Sequence, residues 1–435
     1  MARRRATGAD TTISGAALMA RLQHLAQFSE TPDGLTRTYL TPALRAAGDQ
    51  LIGWLAQAGM RAAFDAVGNV VGRYEGTDKN APALLLGSHY DTVRNAGKYD
   101  GPYGIIAAIA VVQALQDAGR RLPFPIEIAA FADEEGVRFR STLIGSRALA
   151  GTLDPKVLDL TDDAGISMRE ALATFGGKPE AIKNCQTKRD GIRGYIELHI
   201  EQGPVLAQER LPVGVVTAIA GASRFRIALS GETGHAGTVP MAMRRDAAAA
   251  AAEIVLAVER ICSGDRTLVG TVGQFEIAGG AANVIAGAVT LSLDVRAADD
   301  GTRLTAVRAL KSEIAALCKR RRIKAAMTPT HEASAVACDL ELRAALAHGI
   351  KGEGLAVREM PSGAGHDAMA IADIGPVAML FVRCGNGGIS HDPRETMTAA
   401  DAATGTRVLL AAIEYLADTA ESSPSAGRRS TRPSQ

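Results

Sequence analysis

The sequence lacks an excess of charge of either sign and lacks any apolar run long enough to span a membrane. Basic side chains number 48 and acidic ones 47, so no strong field favours a nucleic-acid or membrane-surface partner. Apolar residues make up 47% of the chain and charged residues 22%, as in globular proteins with a sizeable core. We therefore expect a soluble protein that binds neither nucleic acid nor membranes.

Paired cysteines are also missing. The chain has five cysteines, an odd number, and they lie far apart, which fits a reducing compartment better than a disulfide framework. No apolar stretch follows the arginines at 3–5 before Gly15, so we expect no secretory signal and a cytoplasmic location. Cys384 precedes His391 closely, but the sequence places no base beside it and its buried-strand context favours an inert thiol.

The length of 435 residues exceeds what one hydrophobic core usually supports, so two domains are expected. Between residues 83 and 133, short apolar runs alternate with a helix-like stretch, a pattern typical of parallel α/β sheets. The helix is predicted at Tyr103–Ala118. The buried strands are predicted at Ala83–Gly87, Ile126–Ala132, Tyr195–Ile200 and Val377–Val382.

The segment from Gly221 to about Pro329 has an order of its own, βαββαβ, which is that of a ferredoxin-like split unit. Its predicted elements are strand Ser223–Leu229, helix Met243–Ile261, strands Leu268–Ile277 and Ala288–Arg296, helix Thr302–Arg320 and strand Ile323–Met327. Strands on both sides of it belong to one predicted sheet, so the unit is inserted. We predict a first domain over 1–220 and 331–421, an inserted domain over 221–330, and a disordered tail over 422–435.

Residues of metal-binding types stand at the end of the first predicted strand. His89 and Asp91 occur in GSHYD, and Asp100 lies on the turn that follows. Ligands of open α/β sheets bind beyond the carboxyl ends of strands, so this is the expected place for a site. His89 and Asp100 are candidate metal ligands, and Asp91 is a candidate partner that orients the His89 imidazole.

The other three predicted strands contain or lead into similar residues. The second is followed by Glu134 and Glu135, adjacent carboxylates that point in different directions, so one can bind metal while the other takes a proton. The third contains His199 and the fourth leads to His391 in a glycine-rich loop. With Asp100 and one of the two glutamates, three imidazoles and two carboxylates would thus meet at one edge of the sheet.

Each of these residues also has a structural explanation when taken alone. His89 and Asp91 could form a hydrogen-bonded pair, and residues 133–135 could be a solvated acidic turn. His199 could be a core histidine, and His391 could simply punctuate its glycine loop. Their joint placement at four strand ends favours a metal site, because such a coincidence is improbable by chance.

Nine motifs carry a resemblance to a known family. The chain resembles the hydantoinase/carbamoylase family of dinuclear metal amidohydrolases, relatives of the metal aminoacylases and aminopeptidases. The similarity runs from about Gly68 to His391 through GSHYDTV, GKYDG, DEEGVRF, ELHIEQGPVL, HAGTVPM, NVI, DVR, SGAGHDAMA and GISHDPRE. It implies an α/β metallopeptidase-like catalytic domain with a mainly parallel sheet, plus an inserted ferredoxin-like α+β lid and dimerisation domain.

The resemblance implies two divalent metal ions per subunit. The implied ligands are His89, Asp100 and His199 for one ion, and Asp100, Glu135 and His391 for the other. Glu134 is then the general base for the metal-bridging water, which two cations make acidic near neutral pH. Three histidines with two carboxylates suit zinc, and the oxygen-rich share suits manganese. The resemblance favours manganese.

The resemblance also implies substrate contacts, at Gln202, His235, Asn283, Arg296, Gly365 and His366. Arg296 offers a planar fork for a carboxylate, and His235 could stabilise an oxyanion. Taken alone, Arg296 could be a surface arginine, Asn283 a turn residue and His235 a loop histidine. His366 is either catalytic or a support for its loop. The inserted unit makes the family's dimer contact, so a homodimer through 221–330 is expected, with His235 reaching the partner's site.

The implied reaction is hydrolysis of a ureido C–N bond in a small carboxylate-bearing substrate. Allantoate, N-carbamoyl-L-amino acids and N-carbamoyl-β-alanine all qualify. The stretches GKYDG, MLFVRCGNGGISH and HAGTVPMAMRRD look most like allantoate amidohydrolases, so we expect allantoate to give ureidoglycine, ammonia and CO2 in purine catabolism. The loop Gly385–Gly388 departs from the family pattern.

Two other functions remain as alternatives. A metal aminoacylase or peptidase would share the scaffold, but those relatives commonly carry a carboxylate where His199 stands. A non-enzymatic binding module would be favoured if a ligand type were missing, and none is.

Overall fold

The computed structural model describes residues 13–189 and 191–422. The predicted disordered tail, apart from its first residue, and the arginines at 3–5 lie outside the described residues. Among the residues described, no helix combines the length and apolarity needed to cross a membrane.

The helices of the described ranges are short to medium in length. They are α1 (Gly15–Leu25), α2 (Pro42–Gln57), α3 (Pro102–Asp117), α4 (Ile144–Ala150), α5 (Met168–Phe175), α6 (Val205–Glu209), α7 (Ala247–Cys262), α8 (Asp300–Arg321), α9 (Leu340–Gly352), α10 (Ala368–Ile371) and α11 (Ala399–Ser422). The strands are β1 (Arg61–Phe64), β2 (Val70–Tyr74), β3 (Ala83–His89), β4 (Ile126–Phe131), β5 (Ile192–Ile200), β6 (Val213–Ile219), β7 (Gly221–Ser230), β8 (Gly234–His235), β9 (Leu268–Thr271), β10 (Phe275–Ile277), β11 (Val284–Ile285), β12 (Ala288–Ala297), β13 (Lys324–Ala333), β14 (Val336–Ala337), β15 (Glu359–Ser362) and β16 (Val377–Val382).

The chain divides into two compact units. Among the described residues, unit 1 comprises 13–189, 191–217, 338–360 and 366–422, and unit 2 comprises 218–337 and 361–365. The sequence-based boundary between 330 and 331 falls inside β13, which continues to Ala333 beside β7. The segment 361–365, which the sequence assigns to the first domain, groups with unit 2.

The large sheet has nine strands in the order β1-β2-β4-β3-β5-β16-β6-β14, with β15 also paired to β6. Its four central strands, β4, β3, β5 and β16, are parallel neighbours. The flanking pairs of β1, β2, β6 and β14 are antiparallel. Strands β3 and β16 are buried at every position, which explains their continuous apolar sequence. The predicted α/β fold with a mainly parallel central sheet is therefore confirmed.

Helix α3 begins close to His89, at the carboxyl end of β3. It begins at Pro102, whose missing N–H costs nothing at a helix N-terminus. Gly101 before it has a φ of 79°, and a Cβ there would lie 2.5 Å from Cε1 of His89. Only glycine meets both constraints, so this turn can pack against the His89 imidazole.

In unit 2, a five-stranded antiparallel sheet has the order β10-β12-β7-β13, with β9 also paired to β12. Helices α7 and α8 supply the apolar side chains that share its core. Strand order and connections are those of a ferredoxin-like unit.

Three predicted elements of unit 2 differ from the structure. The last strand, expected over Ile323–Met327, covers Lys324–Ala333. The strand expected over Leu268–Ile277 is interrupted, because the N–H groups of Gly273 and Gln274 donate to Ser292 Oγ at 3.2 and 2.9 Å. Three residues there oppose two on β12, which is a bulge. Helix α7 begins four residues later than expected, because Asp246 caps it by accepting from the N–H groups of Ala248 and Ala249.

Candidate metal centre

Ligand-type side chains of unit 1 converge at the carboxyl ends of the parallel strands. His89 ends β3 and His199 lies one residue before the end of β5, while Asp100 comes from the turn before α3. The Nε2 atom of His199 lies 3.2 Å from Asp100 Oδ1, and that of His89 lies 3.6 Å from the same oxygen. These three side chains are buried and their ligand atoms lie within 4.8 Å of one another.

A second group shares Asp100. His391 Nε2 lies 3.2 Å from Asp100 Oδ2 and 3.5 Å from Glu135 Oε1. The ligand atoms of Asp100, Glu135 and His391 also lie within 4.8 Å of one another. The two oxygens of Asp100 therefore face two different groups, the arrangement that a bridging carboxylate needs.

The histidine contacts test whether a cation fits. Nδ1 of His199 lies 2.9 Å from the Ile200 carbonyl and Nδ1 of His89 lies 3.1 Å from the Asp91 carbonyl. A carbonyl only accepts, so each Nδ1 carries hydrogen and each Nε2 faces Asp100. The lone pair of each Nε2 and the negative charge of Asp100 repel each other unless a positive charge lies between them. His199 Nε2 makes no well-aligned hydrogen bond with any residue in the described ranges, so the donor set fits a divalent cation.

The pKa values of these side chains show the same preference for positive charge beside Asp100. Burial raises the pKa of Asp100, but contacts with His199, His391 and His89 outweigh it and hold that pKa well below its usual range. The Asp100 contact raises the pKa of His391 to about 9. Burial, then the charge of Asp100, raises the pKa of Glu135 to about 7. In the metal-free chain, protons supply the positive charge that this cluster favours.

Glu134 is the third carboxylate of the cluster. It forms a ligand-type group with His89 and Glu135. Burial raises the pKa of Glu134 well above its usual range, against the opposing effect of His89. A carboxylate with a raised pKa can accept and hold a proton near neutral pH, as a general base must.

Asp91 has a wider role than the sequence suggests. Its Oδ1 lies 3.5 Å from His89 Nδ1, beyond the closer backbone contact. Its two carboxylate oxygens accept from the N–H groups of Glu134 and Glu135 at 3.1 and 3.2 Å. Asp91 thus ties the end of β3 to the turn that carries both glutamates.

Gln202 and the His391 loop surround the outer oxygen of Asp100. Gln202 Nε2 donates to Asp100 Oδ2 at 2.8 Å and to Ser390 Oγ at 3.2 Å. Gln202 also has a left-handed φ of 54°, an uncommon conformation for this residue type. Its amide, expected to contact substrate, here contacts the bridging candidate.

His366 and Glu197 form a buried support behind His199. The rings of His366 and His199 are 4.6 Å apart between centroids. Glu197 accepts from Ser88 Oγ at 3.0 Å and from the Ala368 N–H at 3.1 Å. Burial, then the neighbouring His199, lowers the pKa of His366 well below its usual range. Glu197 lies in the ELHIEQG motif, but nothing in the sequence pattern indicated this contact.

In unit 2, two predicted substrate contacts lie side by side. His235 on β8 pairs with Val284 of β11, and the Ala236 N–H donates to the Asn283 carbonyl at 2.9 Å. His235 and Asn283 are both exposed. Gly365, in the segment 361–365, is exposed as well.

Arg296, also in unit 2, is held in a defined orientation. Its Nε and Nη2 donate to the two oxygens of Asp294 at 3.0 and 2.9 Å. Its Nη1 donates to the Gly363 carbonyl at 2.7 Å. Three of its five N–H groups are thus engaged, and one N–H remains on each terminal nitrogen.

The chain matches a known protein family over most of its length. The model of peptidase family M20/M25/M40 matches residues 85–415. The chain belongs to this family. This M20-family chain is 41% identical over 408 residues to allantoate deiminase 1 of Glycine max, covering 87% of the chain and 84% of the relative. It is 39% identical over 406 residues to an N-carbamoyl-L-amino acid amidohydrolase of Geobacillus stearothermophilus, covering 93% and 99%.

A solved structure of a related protein is similar to this chain. The chain matches an amidase of the hydantoinase/carbamoylase family from Burkholderia multivorans with a TM-score of 0.88 and 32% identity, covering 94% of this chain and 99% of that one. The resemblance drawn from the nine motifs is thereby confirmed.

Proposed function

We propose that this M20-family protein is a metal-dependent hydrolase that cleaves a ureido C–N bond in a small carboxylate-bearing substrate, with allantoate the first candidate. The observation that carries the proposal is Asp100, whose two oxygens face two groups of ligand-type side chains beside Glu134. The 41% identity to an allantoate deiminase supports the choice of substrate.

The proposed cofactor is a pair of divalent ions, manganese in preference to zinc. His89, Asp100 and His199 would hold one ion, and Asp100, Glu135 and His391 would hold the other. When bound, such ions act as Lewis acids that lower the pKa of water and polarise a carbonyl. Oxygen and imidazole donors are accepted by manganese and zinc alike, so the preference rests on the similarity to allantoate amidohydrolases.

Glu134 would move the proton during hydrolysis. It takes a proton from the attacking water as the oxygen adds to the ureido carbonyl carbon. It then delivers that proton to the leaving nitrogen as the C–N bond breaks. Its raised pKa suits both steps, because the carboxyl can hold the proton between them.

Six residues of the family motifs are proposed to contact the substrate. Arg296 would bind the carboxylate through its two remaining N–H groups, one on each terminal nitrogen. His235 would stabilise the oxyanion, and Gln202, Asn283, Gly365 and His366 would line the substrate. We also propose a cytoplasmic homodimer through residues 221–330, and an active monomer in gel filtration coupled to light scattering would contradict it.

A second candidate is an N-carbamoyl-L-amino acid hydrolase or a β-ureidopropionase. The Geobacillus stearothermophilus relative favours it, since the alignment covers 99% of that protein. The ureido group and the carboxylate are common to these substrates, so the same residues would serve. A peptidase or aminoacylase is the more distant alternative.

A substrate panel tests the proposal. The manganese-loaded protein is incubated with allantoate, several N-carbamoyl-L-amino acids, N-carbamoyl-β-alanine and dipeptides, and ammonia and amino acids are quantified. We expect ammonia release to be fastest from allantoate, and none from metal-stripped protein. Turnover of dipeptides without ammonia from any ureido compound would overturn the proposal.

A further inference from the structure

Glu395 is a buried carboxylate beside the turn that carries Asp100. Only 4% of its surface is exposed. Its Oε1 accepts from the N–H of Tyr99 at 2.8 Å and from the N–H of Asp100 at 3.2 Å. Glu395 and Asp100 are 295 residues apart in sequence, so this contact joins the Asp100 turn to the loop that follows His391.

Ser390 extends the contact to the Asp100 side chain. Its Oγ lies 2.6 Å from Asp100 Oδ2 and 3.0 Å from Glu395 Oε2, and its one hydrogen can be donated to either carboxylate. Glu395 therefore reaches Asp100 twice, directly through the backbone N–H and indirectly through a hydroxyl on the carboxylate. Two fixed points define the orientation of a carboxylate better than one.

At Gly97 the chain leading to the Asp100 turn packs closely against Glu395. A Cβ at this position would lie 2.3 Å from the Glu395 carboxyl carbon. Any side chain there would displace the Glu395 side chain, so glycine permits the Glu395 contact with the Asp100 turn.

We propose that Glu395 is a positioning residue that orients Asp100 between the two candidate ion sites, acting through the backbone at 99–100 and through Ser390. This rests on the proposed dinuclear site. Asp100 Oδ2 is the oxygen that Ser390 holds and also the one that faces His391. Losing the contact should therefore weaken the ion at His391 and Glu135 more than the ion at His89 and His199.

Titration calorimetry of Mn²⁺ into the metal-stripped full-length chain tests the role. We expect Glu395→Ala and Ser390→Ala to weaken one of the two ions by about 10- to 100-fold and the other by less, as losses of ligand-orienting partners do. Glu395→Gln should stay within about threefold of wild type, because its carbonyl accepts from the backbone and its NH2 donates to Ser390 Oγ.

Asp392→Asn is the matched control. This acid lies in the same loop, and its carboxylate accepts from the backbone and guanidinium of Arg394. Neither affinity should change in this variant. Melting temperatures of the metal-free variants report folding separately, and Ser390→Ala, which removes one oxygen, carries the test if Glu395→Ala does not fold.

The outcomes separate two failures. If the wild-type chain binds fewer than two ions, the proposed dinuclear site fails. If wild type binds two and Glu395→Ala and Ser390→Ala bind both with unchanged affinity, the positioning role alone fails. The positioning role is also overturned if Glu395→Gln loses as much affinity as Glu395→Ala.

Discussion

The candidate ligands of unit 1 and the candidate substrate contacts of unit 2 differ in how far their own unit prepares them. His89, Asp100 and His199 are 2%, 5% and 1% exposed and are fixed by contacts within unit 1. His235 and Asn283 are exposed. An exposed side chain gains little free energy on binding substrate, because its hydrogen bonds to substrate replace hydrogen bonds to water. A buried side chain interacts more strongly with charge, because its surroundings have a low dielectric constant. The difference predicts that changes to the ligands of unit 1 affect chemistry, whereas changes to the substrate contacts of unit 2, other than the oxyanion contact proposed for His235, affect binding.

The largest expected effect comes from Glu134→Gln. The amide keeps the size of the side chain but cannot accept the proton, so kcat should fall about 10²- to 10⁴-fold. Metal content, measured by mass spectrometry after dialysis, should remain that of wild type. Loss of metal together with activity would show that Glu134 is a ligand, and turnover at the wild-type rate would exclude it as the base.

The pH dependence of metal binding should be steep. With a pKa of about 9, His391 is protonated at neutral pH in the metal-free chain, so an ion must displace that proton. Apparent Mn²⁺ affinity should rise about tenfold per pH unit between pH 7 and 9. Below pH 7 the proton of Glu135 adds to the slope, since its pKa is about 7.

Calorimetry in buffers of different ionisation enthalpy counts the released protons. An affinity that is flat from pH 6 to 9 would contradict the assignment of His391 and Glu135 as ligands.

Asp294→Asn tests the unit 2 side of the comparison. The variant releases the fork of Arg296, so KM for the ureido substrate should rise about tenfold with a smaller change in kcat. If Asp294 only neutralised charge, its removal would favour a carboxylate and KM would fall. Arg224→Gln is the control, because Arg224 Nε binds the same carboxylate at 2.9 Å without contacting Arg296's donors.

Removal of the metal should lower the stability of the folded chain. Each ion at 100 times its Kd stabilises the folded chain by about 2.7 kcal/mol, which corresponds to about 3–5 °C in Tm for a unit of this size. Hydrogen exchange should quicken on chelation around 89–100 and 133–136 and stay unchanged in unit 2. An equal increase in hydrogen-exchange rate in both units would contradict the difference between them.

The residue types of the candidate centre were predictable, but their supports were not. His89, Glu135, His199 and His391 stand next to apolar runs or within glycine-rich motifs that mark them locally. Glu395 and Ser390 lie in the same GISHDPRE motif as His391, yet both act through contacts with Asp100, which is 295 and 290 residues away from them. No local pattern encodes such a contact.

Two of the predicted residues also make contacts that no local pattern indicated. The carboxylate of Asp91 binds the backbone of Glu134 and Glu135, and the amide of Gln202 binds Asp100. The interruption between β9 and β10 is another example, since a serine on the neighbouring strand creates it.

By itself, the sequence determined the parallel core and the kinds of atom at its edge. A strand buried on both faces must be apolar throughout, so β3, β4, β5 and β16 are visible as runs, and the residues that end them are visible as exceptions. The tertiary structure alone decided that these ends are neighbours, through the order β4-β3-β5-β16, and that Asp100 turns one oxygen to each group. Strand order and carboxylate orientation depend on packing between distant segments, and that packing exists only once the chain has folded.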